Sequence, residues 1–254
     1  MDEDHLMNVI EVNKVIDMNI EIIEQENEVE SDGDDDLPEV ADPYTIMKKV
    51  TGESDAQILI NKMENAKMYV PHFTFQYKEE NSKLVAMFWA NEVAKCNYKE
   101  FGDIISFDAT FNSNKYNMKF VPFIGVDNHR KCVTLGSGML LHKHTASYTW
   151  LLKAFMTAFK KEPTMIVTDQ DEAMKRAIEA VFTKAKHKLC MWHIMQKILS
   201  KICKEIYDET DFKDRFNKIV WNMFMEPLKF KEKWEKLIED FGLQNHKWMT
   251  NMFN

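Results

Sequence analysis

Three apolar stretches decide the fold: IISFDATF (104–111), KFVPFIGVD (119–127) and CVTLGSGMLL (132–141). They are separated by 112–114 (Asn-Ser-Asn) and 127–129 (Asp-Asn-His), which are polar tripeptides typical of turns. Short runs rich in Ile, Val and Phe and bounded by turn residues predict three successive β-strands.

A different periodicity follows along the chain. Segments 146–161, 172–182 and 191–202 carry apolar residues at helical spacing, and the short apolar runs TMIVTD (164–169) and HKLC (187–190) lie between them. The predicted order is β-β-β-α-β-α-β-α. Three antiparallel strands followed by right-handed crossovers predict an α/β fold over 100–203, with an RNase H-like mixed sheet and flanking helices.

Two flanking segments have simpler patterns. Residues 54–69 predict a helix, and 72–78 and 83–89 alternate like the strands of a hairpin, so we assign 52–99 to a helix–hairpin lead-in. From 204 to 254 the apolar spacing is helical, and the sequence stops within an amphipathic pattern. We therefore expect an all-helical insertion that is truncated.

Charge divides the chain unevenly. Residues 1–42 contain sixteen acidic residues and one basic residue, Lys14, so their net charge is −15. Because the net charge of the whole chain is −8, the other 212 residues carry a net charge of +7. Such an acidic stretch with little to bury predicts a disordered N-terminal arm. The mildly basic remainder is a weak indication of nucleic-acid contact.

Other classes of protein are disfavoured. The apolar runs are far too short to span a bilayer, and the acidic start does not resemble a signal peptide, so we expect an intracellular protein with no membrane partner. The four cysteines are scattered, form no C-x-x-C pair and predict reduced thiols: Cys96, Cys132, Cys190 and Cys203.

Two aspartates are candidates for chemistry. Asp108 lies on the first strand of the core and Asp169 at the end of the fourth, and the predicted topology places these strands side by side. Paired carboxylates of this kind hold Mg²⁺ in two-metal nucleases and transposases. Isolated aspartates at strand ends are also common in α/β folds, so both interpretations stay open.

Cys190 and His193 form a second candidate pair. Their spacing, with His187 nearby, permits zinc ligation, but two or three ligands do not complete a tetrahedral structural site. The alternative is a packing or hydrogen-bonding role beside the core.

Three motifs in this order resemble one family: F-D-x-T within 101–127, T-D-Q-D-x-A-M within 168–182, and C-x-W-H within 187–194. They resemble the Mutator-like (MULE) transposase domain, and more specifically its domesticated plant version in far-red impaired response (FAR1-related) proteins. The lead-in stretches GESDAQILINKM, FTFQYK and FWANEVAKCNYKEFGD extend the resemblance to about 52–254.

The resemblance implies a nuclear protein that regulates transcription in light signalling, with weak or indirect DNA contact. Its expected partners are other family members or transcription factors. It also identifies Asp108 and Asp169 as vestigial transposase carboxylates that could hold Mg²⁺, and Cys190 and His193 as a structural hallmark.

Several departures from the family pattern matter. Asn91 replaces an acidic residue, Ala109 replaces a threonine, and the zinc-binding Cys/His patterns of full-length members are missing from this sequence. The third carboxylate, a glutamate expected beyond the helical insertion, is not identified. We therefore predict a catalytically inactive regulator, with an active metal-dependent transposase or a non-functional truncated copy as alternatives.

Overall fold

The computed structural model describes residues 53–109, 116–222 and 224–253. Within them the chain forms two compact units, a sheet-bearing domain up to Cys190 and a helical unit from Met191 onwards. The predicted acidic arm, 1–42, and the predicted turn at 112–114 lie outside the described residues.

The sheet-bearing domain is built on a seven-stranded mixed sheet in the order β1-β2-β5-β4-β3-β6-β7. β6 runs parallel to both β3 and β7, and the remaining neighbours are antiparallel. The mixed α/β class predicted from the sequence is thus confirmed. The strands are β1 (Thr74–Glu80), β2 (Lys83–Ala90), β3 (Ile104–Phe107), β4 (Lys119–Val126), β5 (Cys132–Leu140), β6 (Met165–Thr168) and β7 (Lys186–Leu189).

The lead-in hairpin is part of this sheet. Asn81 and Ser82 both have positive φ, 51° and 60°, and form a two-residue turn of the kind whose twist matches that of paired strands. β2 then pairs with β5, with Met87 opposite Met139. The division of the chain into 52–99 and 100–203 stays a prediction, but the hairpin lengthens the sheet of the core.

Among the described residues, four helices belong to the sheet-bearing domain: α1 (Glu53–Tyr69), α2 (Glu92–Phe101), α3 (Thr145–Phe159) and α4 (Glu172–Val181). The short α2 was not predicted. It begins at Asn91, whose side chain accepts a hydrogen bond from the Ala94 N–H at 2.8 Å, and it buries Ala94 and Tyr98. An asparagine cap followed by two apolar residues four apart is a weak signal in sequence.

Alternate residues of β2 point to opposite faces of the sheet, and each face has its own core. Phe88 joins an aromatic cluster with Phe123 and Phe155, where α2, α3 and α4 pack. Met87 joins a smaller cluster with Met63, a residue of α1. Burial on both faces explains why the central strands are almost continuously apolar.

The helical unit contains α5 (Met191–Lys201), α6 (Lys204–Glu209), α7 (Phe212–Val220), α8 (Pro227–Asp240) and α9 (Lys247–Phe253). Its core includes Ile198, Phe212, Phe216, Trp234 and Leu237. Among the residues described, no helix combines the length and the apolar character needed to cross a membrane.

Candidate functional site

Asp108 follows β3 directly. The predicted strand extended to residue 111, but the observed strand ends at Phe107, so Asp108 lies just past the strand rather than within it. Because β3 is central and its last three residues are buried, Asp108 is held at the edge of the core and is only 5% exposed. Burial of a carboxylate costs free energy unless the group is hydrogen-bonded or paired with a positive charge, so few aspartates are buried to this extent.

Asp169 occupies the equivalent position after β6. β3 and β6 are parallel, with Ile104 opposite Met165 and Ser106 opposite Val167. Continuing this register places Asp108 opposite Asp169, one residue beyond each pair of strand ends. Neighbouring strands lie about 4.8 Å apart, so the two backbones approach closely at this point. The predicted adjacency of the two strands is observed, whereas a shared ion stays a prediction.

Asp171 is a third carboxylate near this edge, and the sequence analysis did not single it out. It caps α4, and its Oδ1 accepts a hydrogen bond from the Met174 N–H at 2.9 Å. The signal was present in T-D-Q-D, where the second aspartate immediately precedes an apolar helical pattern. The cap aligns the start of α4 with the end of β6.

Tyr148 is the other functional candidate that sequence reasoning missed. It lies in the first turn of α3, its side chain is fully buried, and its hydroxyl has no hydrogen-bond partner among the described residues. Burial raises the pKa of the Tyr148 phenol above its usual range, and negative charge adds to the rise. The contributing carboxylates, in decreasing order, are Asp171, Asp169 and Asp108.

A hydrogen-bonded chain supports Asp169 from the neighbouring strand. Thr168 Oγ1 donates to the carbonyl oxygen of Asp169 at 2.9 Å, and Oγ1 lies 2.7 Å from Nε2 of His187 on β7. Because the Thr168 hydroxyl uses its proton on the carbonyl, Nε2 of His187 is the donor in the second bond. His187 therefore orders the turn that carries Asp169, which is a role distinct from the zinc ligation considered above.

His187 predicts a pH dependence of stability. Burial lowers its pKa, nearby Lys175 lowers it further, and Glu179 opposes them. The unfolded chain therefore binds more protons at this position, and stability is lost as pH falls below about 6.5, the ordinary histidine pKa. We expect urea midpoints to fall between pH 7.5 and pH 5.5, and His187→Gln to flatten part of that slope.

Lys175→Met provides the matched test, since it removes one cause of the lowered pKa without altering the histidine. It should reduce the loss of stability in the same pH range. An unchanged slope in both variants would contradict the assignment to His187.

The boundary between the two compact units falls between Cys190 and His193, which are three residues apart in the chain. Cys190 is buried just past β7, and its N–H donates to the carbonyl of Thr168 at 2.7 Å. His193 lies on α5, is 8% exposed and packs edge-on against the Trp192 ring at 4.9 Å. A joint role for Cys190 and His193 stays a prediction.

The donor set at the strand ends suits a hard cation. Carboxylate oxygens are the ligands that Mg²⁺ prefers, and Mg²⁺ is commonly held by one or two carboxylates while keeping several waters. Within the described ranges, no group of three or more His, Cys, Asp or Glu side chains is arranged to hold a metal ion. Asp108 and Asp169 would thus hold one largely hydrated ion.

The two substitutions relative to the family pattern have structural explanations. Asn91 caps α2, a role that an aspartate would fill equally well. Ala109 is 1% exposed and belongs to the aromatic core cluster, where a methyl side chain brings no hydroxyl to satisfy. Neither substitution removes a carboxylate from the strand-end site.

Comparison with known proteins agrees with this geometry. A family model described as the MULE transposase domain matches residues 104–197, which include both aspartates and the first part of α5. Protein FAR1-RELATED SEQUENCE 5 of Arabidopsis thaliana is 29% identical over 204 residues, covering 80% of this chain and 26% of the relative. Protein FAR-RED IMPAIRED RESPONSE 1 of the same plant is 27% identical over 199 residues, covering 78% and 24% respectively.

The chain is therefore similar to the MULE transposase domain over residues 104–197, and it has a mixed α/β fold. The chain is similar to FAR1-related proteins over about four fifths of its length, as the resemblance of its motifs predicted. The chain spans about a quarter of the length of the curated relatives it matches.

Proposed function

We propose that this chain is a transposase-derived nuclear protein that takes part in transcription regulation and does not cut DNA. The observation that carries the proposal is the composition of the strand-end site. Asp108 and Asp169 lie in register on adjacent strands, but the described residues bring no third ligand to them as a metal-holding group. Its partners would be other family members or transcription factors, and the relatives' names suggest far-red light responses as the context.

The sheet order supports an RNase H-like interpretation of 100–203. β5, β4 and β3 are antiparallel neighbours, and β6 and β7 follow as parallel strands reached through α3 and α4. This is the arrangement predicted from the order of elements, and it places the carboxylates at the ends of β3 and β6. In this interpretation, the ends of β3 and β6 correspond to the position of a nuclease site.

Ligand count argues against catalysis at that position. In-line displacement at phosphorus by two ions needs ligands that hold both ions on either side of the reacting phosphate. Two carboxylates can hold one hydrated ion but cannot fix two. An active metal-dependent transposase is the alternative, and the register of the aspartates is the observation in its favour.

The charge distribution supports weak contact with DNA through the sheet-bearing domain. Residues 43–190 contain 21 basic and 15 acidic side chains, a balance of +6, whereas 191–254 contain 11 basic and 10 acidic ones. An excess of six positive charges allows only a few contacts with DNA phosphates, and salt weakens such contacts.

The purified chain should not nick supercoiled plasmid DNA in Mg²⁺ or Mn²⁺, and the Asp108→Ala and Asp169→Ala variants should behave identically. It should bind duplex DNA weakly, with affinity falling by roughly tenfold to fortyfold between 50 and 200 mM salt if two or three phosphates are contacted. Gel electrophoresis and fluorescence anisotropy provide the two measurements.

Metal-dependent nicking by the parent chain that both substitutions abolish would establish the enzymatic alternative instead. No DNA binding at 50 mM salt would remove direct contact from the proposal. The regulatory part is tested by tethering the chain to a reporter promoter in plant protoplasts, where transcription should change. An unaltered reporter would favour a non-functional copy.

A further inference from the structure

The Tyr148 hydroxyl lies at the edge of the sheet that carries the aspartates. β3, β5 and β6 share one direction, because β4 is antiparallel to both β3 and β5 while β6 is parallel to β3. Their carboxyl ends therefore meet at one edge, and α3 begins there, only a few residues after the end of β5 at Leu140. Tyr148 is in the first turn of α3 and therefore lies at the same edge of the sheet as Asp108 and Asp169.

A buried hydroxyl normally has a hydrogen-bond partner, because removal from water otherwise carries a desolvation cost. The Tyr148 hydroxyl has none among the described residues, whereas the hydroxyl of Tyr98, buried in the same aromatic cluster, donates to the Lys161 carbonyl at 2.7 Å. Asp171, Asp169 and Asp108 all act electrostatically on the Tyr148 phenol. The buried hydroxyl, without a partner among the described residues, thus lies at the edge of the sheet that carries these carboxylates.

We infer that Tyr148 is a positioning residue of the strand-end site, and that its hydroxyl holds a water of a hydrated divalent cation bound by Asp108 and Asp169. This inference rests on the carboxylate site of the proposed function and adds a residue and a ligand class to it. It concerns binding of the ion and requires no cleavage.

The chemistry of a hydrated ion fits the phenol. A water bound to a divalent cation is a strong hydrogen-bond donor, and the phenol oxygen accepts from it. An ion with two carboxylates keeps most of its waters, so groups that orient those waters contribute strongly to affinity.

Mn²⁺ titration followed by electron paramagnetic resonance tests the inference on the purified 254-residue chain, because the signal of free Mn²⁺ falls on binding. The parent is expected to bind one equivalent, and Asp169→Asn should lose that binding. Tyr148→Phe should weaken Mn²⁺ binding by about tenfold, the lower end of the effect of removing a group that orients metal ligands. Tyr98→Phe, which removes a buried hydroxyl distant from the carboxylates, should leave the affinity unchanged.

Urea unfolding in EDTA distinguishes the positioning role from a structural one. Tyr148→Phe should be at least as stable as the parent without metal, since the hydroxyl it removes has no protein partner, and stabilisation by added Mn²⁺ should be smaller than in the parent. Equal Mn²⁺ affinities of parent and Tyr148→Phe would overturn the inference, as would the absence of binding by the parent or equal weakening by Tyr98→Phe. Nicking by the parent would refute the non-enzymatic function alone, so the two failures are distinguishable.

Discussion

Replacing Phe155 with alanine is expected to lower the free energy of unfolding of the sheet-bearing domain by about 3–5 kcal/mol, which is typical of a buried phenylalanine. Phe155 is fully buried on α3 at the centre of the aromatic cluster. Its ring centroid lies 4.5 Å from that of Phe159, 4.6 Å from Phe123 and 5.3 Å from Tyr98. The substitution removes these contacts together and leaves a cavity that rigid neighbours cannot fill.

The measurement is urea unfolding of the full chain, followed by circular dichroism and tryptophan fluorescence. Because the helical unit has its own core, a second transition can arise, and only the transition of the sheet-bearing domain should shift. Tyr69→Ala is the control, since Tyr69 belongs to the same domain and is 81% exposed, and its effect should stay within about 0.5 kcal/mol. A loss below about 1 kcal/mol for Phe155→Ala would show that the cluster is not the core of the domain.

Gly138→Ala is expected to cost about 1–3 kcal/mol, although alanine is the smallest possible addition. A Cβ at this position would lie 2.3 Å from Cδ1 of Leu151 and 3.2 Å from the carbonyl oxygen of Met87. Leu151 is fully buried on α3 and cannot move its side chain into solvent. The absence of a side chain at Gly138 therefore allows α3 to pack closely against β5.

A double-mutant cycle tests this explanation. Leu151→Ala alone should cost about 2–5 kcal/mol because it opens a cavity, but Gly138→Ala should cost little in that background, since the methyl group enters the vacated space. A favourable coupling of at least about 1 kcal/mol is expected from the urea midpoints of the four proteins. Strictly additive costs would mean that the glycine is required for another reason.

The position of α3 connects both predictions to the candidate site. Phe155 and Leu151 hold the helix against the sheet through the aromatic core cluster, and Tyr148 lies in the first turn of the same helix. Variants that loosen α3 should thus also weaken Mn²⁺ binding, whereas Tyr148→Phe should weaken it without loss of stability.

Much of the fold could be predicted from local sequence patterns. Strand and helix spacing differ, and turn residues such as those at 127–129 separate the elements, so the order from β3 to α5 follows from the sequence with end errors of a few residues. Asp108 and Asp169 could be singled out because the first lies on one predicted strand and the second ends another, and the crossover rule places those strands together. The family resemblance could be recognised from the sequence because the motifs that carry it are short and contiguous.

Tertiary structure alone decided how distant segments meet. The pairing of β2 with β5 brings the lead-in hairpin into the core sheet, and it depends on a register between residues about fifty positions apart. Tyr148 falls within the predicted helix 146–161 and was not singled out, because its place at the sheet edge of Asp108 and Asp169 is set only by the packing of α3. Periodicity depends on neighbours along the chain, whereas a site depends on neighbours in space. The spatial neighbours of a residue are determined only once the cores have formed.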